Sequence, residues 1–303
     1  SSSSSSSWVI IISCAITTLL IDVSASSSSS SSEEGNIDFR FKTFNENNAS
    51  EFAFTENSTT HMRALQVTFD IGADSTGIAD ASGQVTYITP LHLWDPDHNY
   101  TASFNTSFLL NIGPTEDGSG ASNTSGGGMA FMLSSRPASD VPNSYGSGLG
   151  LVDFTLPSHN DDDDDYTFVA IEFDTFRDAF DPDNANHVGI DVNSTVSLNT
   201  SRLDDYNVTL NWNTTTTNGE DNTNTGVWID YDGHDKSFDI FLANQASDSL
   251  GEKPEVPIIS RFRLELDRIL PENVYLGFSA STGTIKETHS VLQWNFNSTG
   301  FPP

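Results

Sequence analysis

Cysteine and basic residues are both scarce in this chain of 303 residues, and each scarcity excludes a class of protein. The only cysteine is Cys14, so no disulfide within the chain supports the fold, which must rely on packing, strand pairing and metal. Lysine and arginine number 12 against 42 acidic residues, which gives a formal net charge of −30. Such a surface repels phosphate backbones and excludes nucleic acid as a partner. It also suits a protein that collects divalent cations, although general solubility explains the same charge.

Long apolar runs are lacking as well. The longest, residues 8–21 (WVIIISCAITTLLI), falls short of the roughly 20 residues that a membrane-spanning helix needs. It fits the hydrophobic region of a secretory signal peptide, with VSA at 23–25 as the cleavage site, and a buried strand is the alternative. Serine runs flank it on both sides. We therefore predict a signal peptide and low-complexity serine segment over residues 1–32, and a secreted or cell-surface domain over residues 33–303.

Asn-X-Ser/Thr sequons are a second sign of secretion. Many arise by chance in a chain rich in asparagine, serine and threonine, so no single sequon identifies a glycan site. Together they predict N-glycosylation at several positions if the chain enters the secretory pathway. The sequons begin at Asn48, Asn57, Asn99, Asn105, Asn123, Asn193, Asn199, Asn207, Asn213 and Asn297.

Helical periodicity is absent over any stretch longer than about ten residues, and alternation of apolar and polar residues dominates instead. Turn-forming glycine, proline and aspartate residues separate the alternating segments. Many short strands without intervening helices predict an all-β sandwich or jelly roll in one domain. The alternating sets are Leu65, Val67, Phe69 and Ile71; Phe104, Phe108, Leu110 and Ile112; Val208, Leu210 and Trp212; Val274, Leu276 and Phe278; and Leu292, Trp294 and Phe296.

The most informative segment is FVAIEFDTFRDAFDPDNANHVGID, residues 168–191. In an extended strand, successive side chains point to opposite faces, so one face of this segment is apolar and the other is acidic. The strand can therefore anchor itself in a core while it presents two carboxylates about 7 Å apart. The two faces are Val169, Ile171 and Phe173 on one side, and Glu172, Asp174 and Phe176 on the other.

A turn after this strand lets Asp178, Asp181 and His187 fold back over the two carboxylates. Calcium takes hard oxygen ligands in flexible coordination, and an imidazole beside carboxylates favours a second ion such as manganese. Repulsion in an empty site would raise carboxylate pKa values and leave the loop loose without metal. The pattern predicts a metal site, and a polar strand followed by an acidic loop is the alternative.

The same segment, together with three others, resembles legume lectins, and most of all the lectin ectodomains of plant lectin receptor kinases. The others are Trp94-Asp95-Pro96, GFSASTG at 277–283 and ETHSVLQWNF at 287–296, and the likeness covers residues 36–297. The resemblance implies a concanavalin-like jelly-roll β-sandwich of antiparallel sheets that binds glycans and is not an enzyme. It also implies homo-oligomers or other assemblies that pair through sheet faces or edges.

In this family the acidic strand and the loop after it hold manganese and calcium side by side. The resemblance implies that two aspartates bridge both ions and that a water held by Ser197 lies behind the manganese. The implied ligands of manganese are Glu172, Asp174, Asp181 and His187. The implied ligands of calcium are Asp174, Asp181, the backbone carbonyl of Phe176 and the side chain of Asp178.

The carbohydrate site that the resemblance implies departs from the family pattern at two of its three polar anchors. Gly127 stands where the family has an aspartate, and Asp178 stands where it has an asparagine. Ser147 replaces a glycine but keeps the backbone donor, and Phe176 keeps the stacking ring. Ile285 belongs to the fourth loop, which is short and varies within the family.

These departures leave two functions open. Each charge-assisted hydrogen bond lost costs about 1.5–3 kcal/mol, which weakens or removes a simple monosaccharide pocket. The first function is a carbohydrate-binding lectin that recognises an extended glycan, with Ser125 or Lys286 replacing lost contacts. The second is a sugar-silent relative that acts as a structural or assembly module.

Other features point to neither catalysis nor further metal sites. Five aspartates at residues 161–165 are typical of a solvated loop. His289 is expected to be structural because its neighbours are hydroxyl and apolar side chains. Hydrolysis by paired carboxylates is disfavoured because metal occupies Glu172 and Asp174, and Arg177 stands where a third acid would be needed.

Overall fold

The computed structural model describes the chain in several ranges, and all structural statements below concern these. They are residues 36–68, 79–114, 127–155, 166–179, 181, 185–210, 224–284 and 287–299. No helix within them is long and apolar enough to cross a membrane.

The described ranges form 18 strands, and their helices are confined to four short 3-10 turns. The strands are β1 (Asp38–Phe41), β2 (Phe52–Phe54), β3 (Thr59–His61), β4 (Ala64–Thr68), β5 (Ser82–Tyr87), β6 (Leu91–His92), β7 (Trp94–Asp95), β8 (Tyr100–Thr101), β9 (Phe104–Pro114), β10 (Gly128–Ser134), β11 (Phe168–Asp174), β12 (His187–Val192), β13 (Asn199–Arg202), β14 (Asn224–Asp232), β15 (Ser237–Gln245), β16 (Ile259–Arg263), β17 (Asn273–Ser281) and β18 (Glu287–Ser298). The 3-10 turns are Ala49–Glu51, Gly146–Gly148, Leu203–Tyr206 and Leu266–Arg268.

Two eight-stranded sheets contain nearly all of these strands. The back sheet has the order β16-β15-β14-β9-β18-β4-β3, with β1 also paired to β18. The front sheet has the order β13-β12-β11-β10-β17-β5-β2, with β6 also paired to β17, and β7 pairs with β8 apart from both. All pairings among the described strands are antiparallel. The predicted all-β sandwich is therefore confirmed.

The core between the sheets is rich in aromatic rings. Trp294 of β18 is fully buried, and its ring centroid lies 4.8 Å from those of Phe39 and Phe278 and 6.4 Å from that of Phe131. The Trp294 indole N–H donates to the Thr106 hydroxyl at 2.9 Å. The only polar atom of the largest core side chain is thus satisfied, as burial requires.

Most of the alternating segments form strands where the sequence predicted them. Their apolar residues are buried, which confirms that the period of two marks the core face. The confirmed residues are Leu65 and Val67 in β4; Phe104, Phe108, Leu110 and Ile112 in β9; Val274, Leu276 and Phe278 in β17; and Trp294 and Phe296 in β18. Phe69, Ile71 and Trp212 lie outside the described residues.

The alternation in β18 is broken by a β-bulge. We predicted that Leu292 lies in phase with Trp294 and Phe296, but the register shifts between Val291 and Gln293. Val291 is therefore the buried residue, and Leu292 is only half-buried. A bulge inserts one extra residue into a strand, so the residues before it face the opposite way from a simple alternation.

The strand predicted from Val208 and Leu210 is wrong. Asn207 ends the 3-10 turn Leu203–Tyr206 with a left-handed φ of 57°, and the Val208 N–H donates to the Leu203 carbonyl at 3.1 Å. Asparagine adopts this conformation more readily than other non-glycine residues. Val208 and Leu210 are still buried in the core, so the pattern predicted their burial correctly and their conformation incorrectly.

The outer face of the back sheet is partly covered by the chain itself. Residues 246–257, called the strap, join β15 to β16 and reach across this face. The Gln293 side-chain amide of β18 donates to the Asp248 carbonyl at 2.9 Å, and Lys253 pairs with Asp230 of β14. Lys253 also lies 4.0 Å from the ring centroid of Phe241, which is buried although it points away from the core.

Replacing Trp294 with alanine should remove the centre of the core. Truncation of a buried aromatic side chain costs about 3–5 kcal/mol, so we expect the free energy of unfolding in a denaturant titration to fall by that amount. Met62→Ala is the control, because Met62 is 82% exposed and its truncation should change the free energy by less than about 0.5 kcal/mol. Similar effects of the two substitutions would contradict the described core.

Candidate metal and carbohydrate site

β11 carries its acids on a face that is separate from the main core. Glu172 and Asp174 point away from the core and are nevertheless buried. A second apolar cluster, which includes Ala170 and Leu151, covers the same side of the front sheet. The residues that anchor the strand on the core side are those predicted, Val169, Ile171 and Phe173.

His187 meets these two acids from the neighbouring strand. In the pairing of β11 with β12, His187 lies opposite Asp174, and Gly189 lies opposite Glu172. The Nε2 atom of His187 is 3.3 Å from Glu172 Oε1 and 3.9 Å from Asp174 Oδ2. One potential ligand atom from each of the three residues lies within 4.8 Å of the other two. The structure therefore brings together the acids and the imidazole that the sequence placed in one site, called the metal triad here.

Gly189 provides the space that the Glu172 carboxylate occupies. A Cβ atom at Gly189 would overlap both this carboxylate and the Ser197 hydroxyl. The Ser197 hydroxyl lies between two acids, in hydrogen-bond contact with Glu172 and 2.7 Å from Asp191 Oδ1. Ser197, the residue that the resemblance implies as holder of a water behind the manganese, thus contacts the triad directly.

Asp191 is the site residue that sequence reasoning missed. It is fully buried, and its Oδ2 atom has no hydrogen-bond partner within the described part of the chain. It shares the face of β12 that carries His187 and Gly189. The signal was present in HVGID, because residues 187, 189 and 191 of a strand point the same way.

Burial disfavours the ionised form of these acids unless a cation is close. Desolvation raises the pKa of Asp174 to about 9, against a smaller lowering by the charge of His187. Burial, followed by the charge of Glu172, raises the pKa of Asp191 well above its usual range. Among the described residues, His187 is the only basic side chain within ion-pair distance of Glu172 or Asp174. A bound divalent cation would favour the ionised acids.

The loop after β11 turns back toward the triad, as predicted. The Phe176 N–H donates to Asp174 Oδ1 at 2.6 Å, and the Asp178 N–H donates to Asp181 Oδ2 at 2.5 Å. Burial raises the pKa of both Asp178 and Asp181, and the charge of Asp181 contributes to the raised pKa of Asp174. The loop acids therefore lie close enough to interact electrostatically with the triad.

The donor set fits hard divalent cations. Carboxylate and carbonyl oxygens are the ligands that calcium prefers, and one imidazole beside carboxylates also suits manganese. The buried Asp191 oxygen without a partner and the crowding of acids around a glycine are both features that a cation would explain.

Loops from three parts of the chain meet beside the triad. The Ser147 hydroxyl donates to Asp178 Oδ1 at 2.8 Å. The Ser281 hydroxyl donates to the Gly146 carbonyl at 2.5 Å, and the Gly127 N–H donates to the Ser281 carbonyl at 3.2 Å. Three of the residues expected at the carbohydrate site, Gly127, Ser147 and Asp178, are thus in one connected group.

The two apolar residues expected at the carbohydrate site differ in what the structure describes. Phe176 is 39% exposed, so part of its ring is accessible from solvent. Ile285 lies outside the described residues, and Thr284 before it is exposed.

Gly127 has no room for a larger side chain. A Cβ atom there would lie 2.5 Å from Ser281 Oγ and 2.6 Å from the Gly146 carbonyl oxygen. The position where the family has an aspartate therefore lacks the carboxylate and also lacks the space for one. A Gly127→Asp substitution would have to displace the Ser281 hydroxyl and the Gly146 carbonyl and is not a simple restoration.

The fold and the site define a β-sandwich binding protein with a buried acid–histidine cluster beneath surface loops. The chain matches the model of the legume lectin domain over residues 36–303 and belongs to this family. It is 34% identical to the probable L-type lectin-domain containing receptor kinase S.7 of Arabidopsis thaliana, over 88% of this chain and 36% of that protein. It is also 34% identical to the lectin alpha chain of Lablab purpureus, over 86% of this chain and 81% of that protein.

Solved legume lectins share the jelly-roll fold. A basic winged bean lectin with Tn-antigen is 27% identical, with a TM-score of 0.66 over 87% of this chain and 98% of that chain. Lectin UEA-II complexed with galactose is 28% identical, with a TM-score of 0.65 over 88% of this chain and 100% of that chain. The resemblance and the fold predicted from the sequence are therefore confirmed. Legume lectin domains are carbohydrate-binding proteins and not enzymes, so the family excludes the hydrolase alternative.

Gly189→Ala should push the Glu172 carboxylate away from His187. Loss of support for a metal ligand weakens metal binding by about 10- to 100-fold, and we expect a loss of this size for Mn²⁺ in isothermal titration calorimetry. Gly283→Ala is the matched control, because a Cβ atom at Gly283 would lie 3.8 Å from its nearest neighbour and fits without movement. Wild-type affinity in Gly189→Ala would contradict the placement of Glu172.

The metal-free protein should lose stability as the pH rises from about 5 to 8. Asp174 keeps its proton to a pKa of about 9 in the folded chain, whereas an unfolded aspartate loses it near about 4. The folded state binds more protons between these values, so the free energy of unfolding falls with rising pH. Thermal unfolding in chelator tests this, and Asp174→Asn should flatten the dependence because asparagine does not titrate. An equally steep dependence in Asp174→Asn would contradict the role of Asp174.

Proposed function

We propose that the chain is a secreted carbohydrate-binding lectin domain whose glycan site is organised by a calcium and a manganese ion. The observation that carries this proposal is the buried convergence of Glu172, Asp174 and His187. The loop acid Asp178, which accepts from the Ser147 hydroxyl, is close enough to interact electrostatically with Glu172. Membership of the legume lectin family supports it, since winged bean lectin and lectin UEA-II are described with a glycan antigen and with galactose.

The two ions would divide the acids between them by ligand chemistry. Manganese would take the triad together with Asp181, because the imidazole of His187 suits a transition metal. Calcium would take the shared acids Asp174 and Asp181 with the Phe176 carbonyl and Asp178, which are all hard oxygens. Bound cations would neutralise the crowded carboxylates and hold the loop after β11 beside the glycan site.

Recognition of a glycan would depend on fewer polar anchors than in relatives with an aspartate at the first loop. Gly127 offers no carboxylate. Contacts with a glycan would therefore come from Ser147, Asp178 and the partly exposed ring of Phe176. Each missing charge-assisted hydrogen bond would weaken the binding of a monosaccharide by about 1.5–3 kcal/mol. We propose that an extended glycan, which gains affinity from further contacts, is the ligand.

A sugar-silent module is the second candidate, and the packing around Gly127 favours it. The close contacts with Ser281 and Gly146 fill the space that an anchoring carboxylate would need. A protein of this kind would keep the metal-supported fold and act in assembly. The two candidates therefore share the metal site and differ only in whether the loops bind sugar.

Location and assembly follow from the same family. The matched receptor kinases and lectins support a secreted or cell-surface domain, with residues 1–32 as the leader segment and some sequons glycosylated. The chain spans only 36% of the length of the receptor kinase S.7. We propose that self-association uses sheet edges, because the strap covers part of the back sheet's outer face.

A glycan array probed with and without chelator separates the two candidates. The lectin proposal predicts that the protein binds at least one extended glycan with added Ca²⁺ and Mn²⁺, and that chelator or Asp174→Asn removes the binding. Asp38→Asn is the control, because Asp38 is exposed and belongs to β1 of the back sheet, whereas the triad lies in the front sheet. Binding that survives chelator would contradict the metal-organised site, and no binding under any condition would favour the sugar-silent candidate.

A further inference from the structure

A chain of buried hydrogen bonds joins the two sheets beside the metal site. The Thr175 hydroxyl donates to Glu287 Oε2 at 2.8 Å, and His289 Nε2 lies 3.0 Å from the same oxygen. On its other side, His289 Nδ1 lies 2.7 Å from the hydroxyl of Thr68 at the end of β4. All four residues are buried, so this polar chain lies inside the sandwich.

The members of this chain come from three parts of the fold. Glu287 and His289 alternate along β18 in the back sheet, and both point inward. Thr175 is the first residue after β11 of the front sheet. Local sequence therefore does not reveal the contact, since 112 residues separate Thr175 from Glu287.

Thr175 lies between strand β11, which carries Glu172 and Asp174, and the loop that carries Asp178. Asp174 before it is held by the pairing of β11 with β12, and Phe176 after it begins the loop. The backbone at Thr175 thus sets the direction in which the chain leaves β11 and reaches Phe176. A side chain that is hydrogen-bonded to a buried carboxylate of the opposite sheet restricts this backbone.

We propose that Glu287 is a positioning residue, which holds the calcium-binding loop through the Thr175 hydroxyl. The inference rests on the proposed metal site and adds residues that are not themselves ligands. A simple structural role would stabilise the sandwich equally with and without metal. Positioning instead requires that the contact favour the metal-bound loop in particular.

The binding of calcium should depend on the contact between Thr175 and Glu287 more than the binding of manganese does. The proposed calcium ligands include the Phe176 carbonyl and Asp178, which both follow Thr175 in the loop. Most of the proposed manganese ligands are in the triad, whose strands are fixed by their own pairing. Loss of the Thr175 hydroxyl should therefore lower the affinity for calcium more than the affinity for manganese.

The test is isothermal titration of Ca²⁺ and Mn²⁺ into the full chain carrying Thr175→Val, with Thr175→Ser as the matched variant that keeps the hydroxyl. We expect Thr175→Val to lower the affinity for calcium by about tenfold and the affinity for manganese by less. The loss of a hydrogen bond to a carboxylate has an effect of this order. Thr175→Ser should stay within about twofold of the wild type.

Thr68→Val controls for general destabilisation, because it removes a buried hydroxyl from the far end of the same chain of hydrogen bonds. It should lower the melting temperature in chelator and leave calcium affinity unchanged. Glu287→Met, which removes the acceptor oxygens and keeps the length of the side chain, provides a second test if Thr175→Val does not fold, and it should weaken calcium binding more than manganese binding. Wild-type calcium affinity in Thr175→Val, or equal losses in Thr68→Val and Thr175→Val, would overturn the positioning role. A wild-type chain that binds neither ion would contradict the metal site itself.

Discussion

Carboxylates that are buried side by side repel one another, and the region around β11 and β12 depends on how that repulsion is relieved. The ladder between these strands fixes Glu172, Asp174 and His187 whatever the state of their charges. Protonation is one way to relieve the repulsion. Burial, with smaller contributions from the charges of Glu172 and Asp181, raises the pKa of Asp174 and so favours its protonated form. A cation is the other, and it would also draw in the loop acids Asp178 and Asp181. The loop acid Asp178 is hydrogen-bonded to Ser147, so the proposed carbohydrate site is connected to this region.

Much of the fold could be predicted because the period of two survives in most strands. The acidic strand is the clearest case, since one alternation defines both its core face and its metal face. Leu292 shows where this reasoning fails, because a bulge changes the phase without any signal in the local sequence. Val208 shows a second failure, in which buried apolar residues alternate outside a strand. The same alternation continues from His187 through Gly189 to Asp191, so the sequence places all three on one face of β12.

The contacts between distant segments were beyond sequence reasoning. The packing of Gly127 against Ser281 and Gly146 depends on three loops that only the tertiary structure brings together. The sequence showed that an aspartate is missing, whereas the structure shows that its space is closed as well. The same holds for His289, whose expected structural role is seen in a hydrogen-bonded chain with Glu287 that no spacing predicted.

The most direct measurement of the central claim is the metal content of the purified chain. Elemental analysis after incubation with Ca²⁺ and Mn²⁺ and removal of the free ions should find about one of each per chain, since the donor set suits one hard cation and one transition metal. A triad variant such as Glu172→Gln should lose the manganese. A wild-type chain that retains no more metal than this variant would show that protonation alone relieves the repulsion between the buried carboxylates.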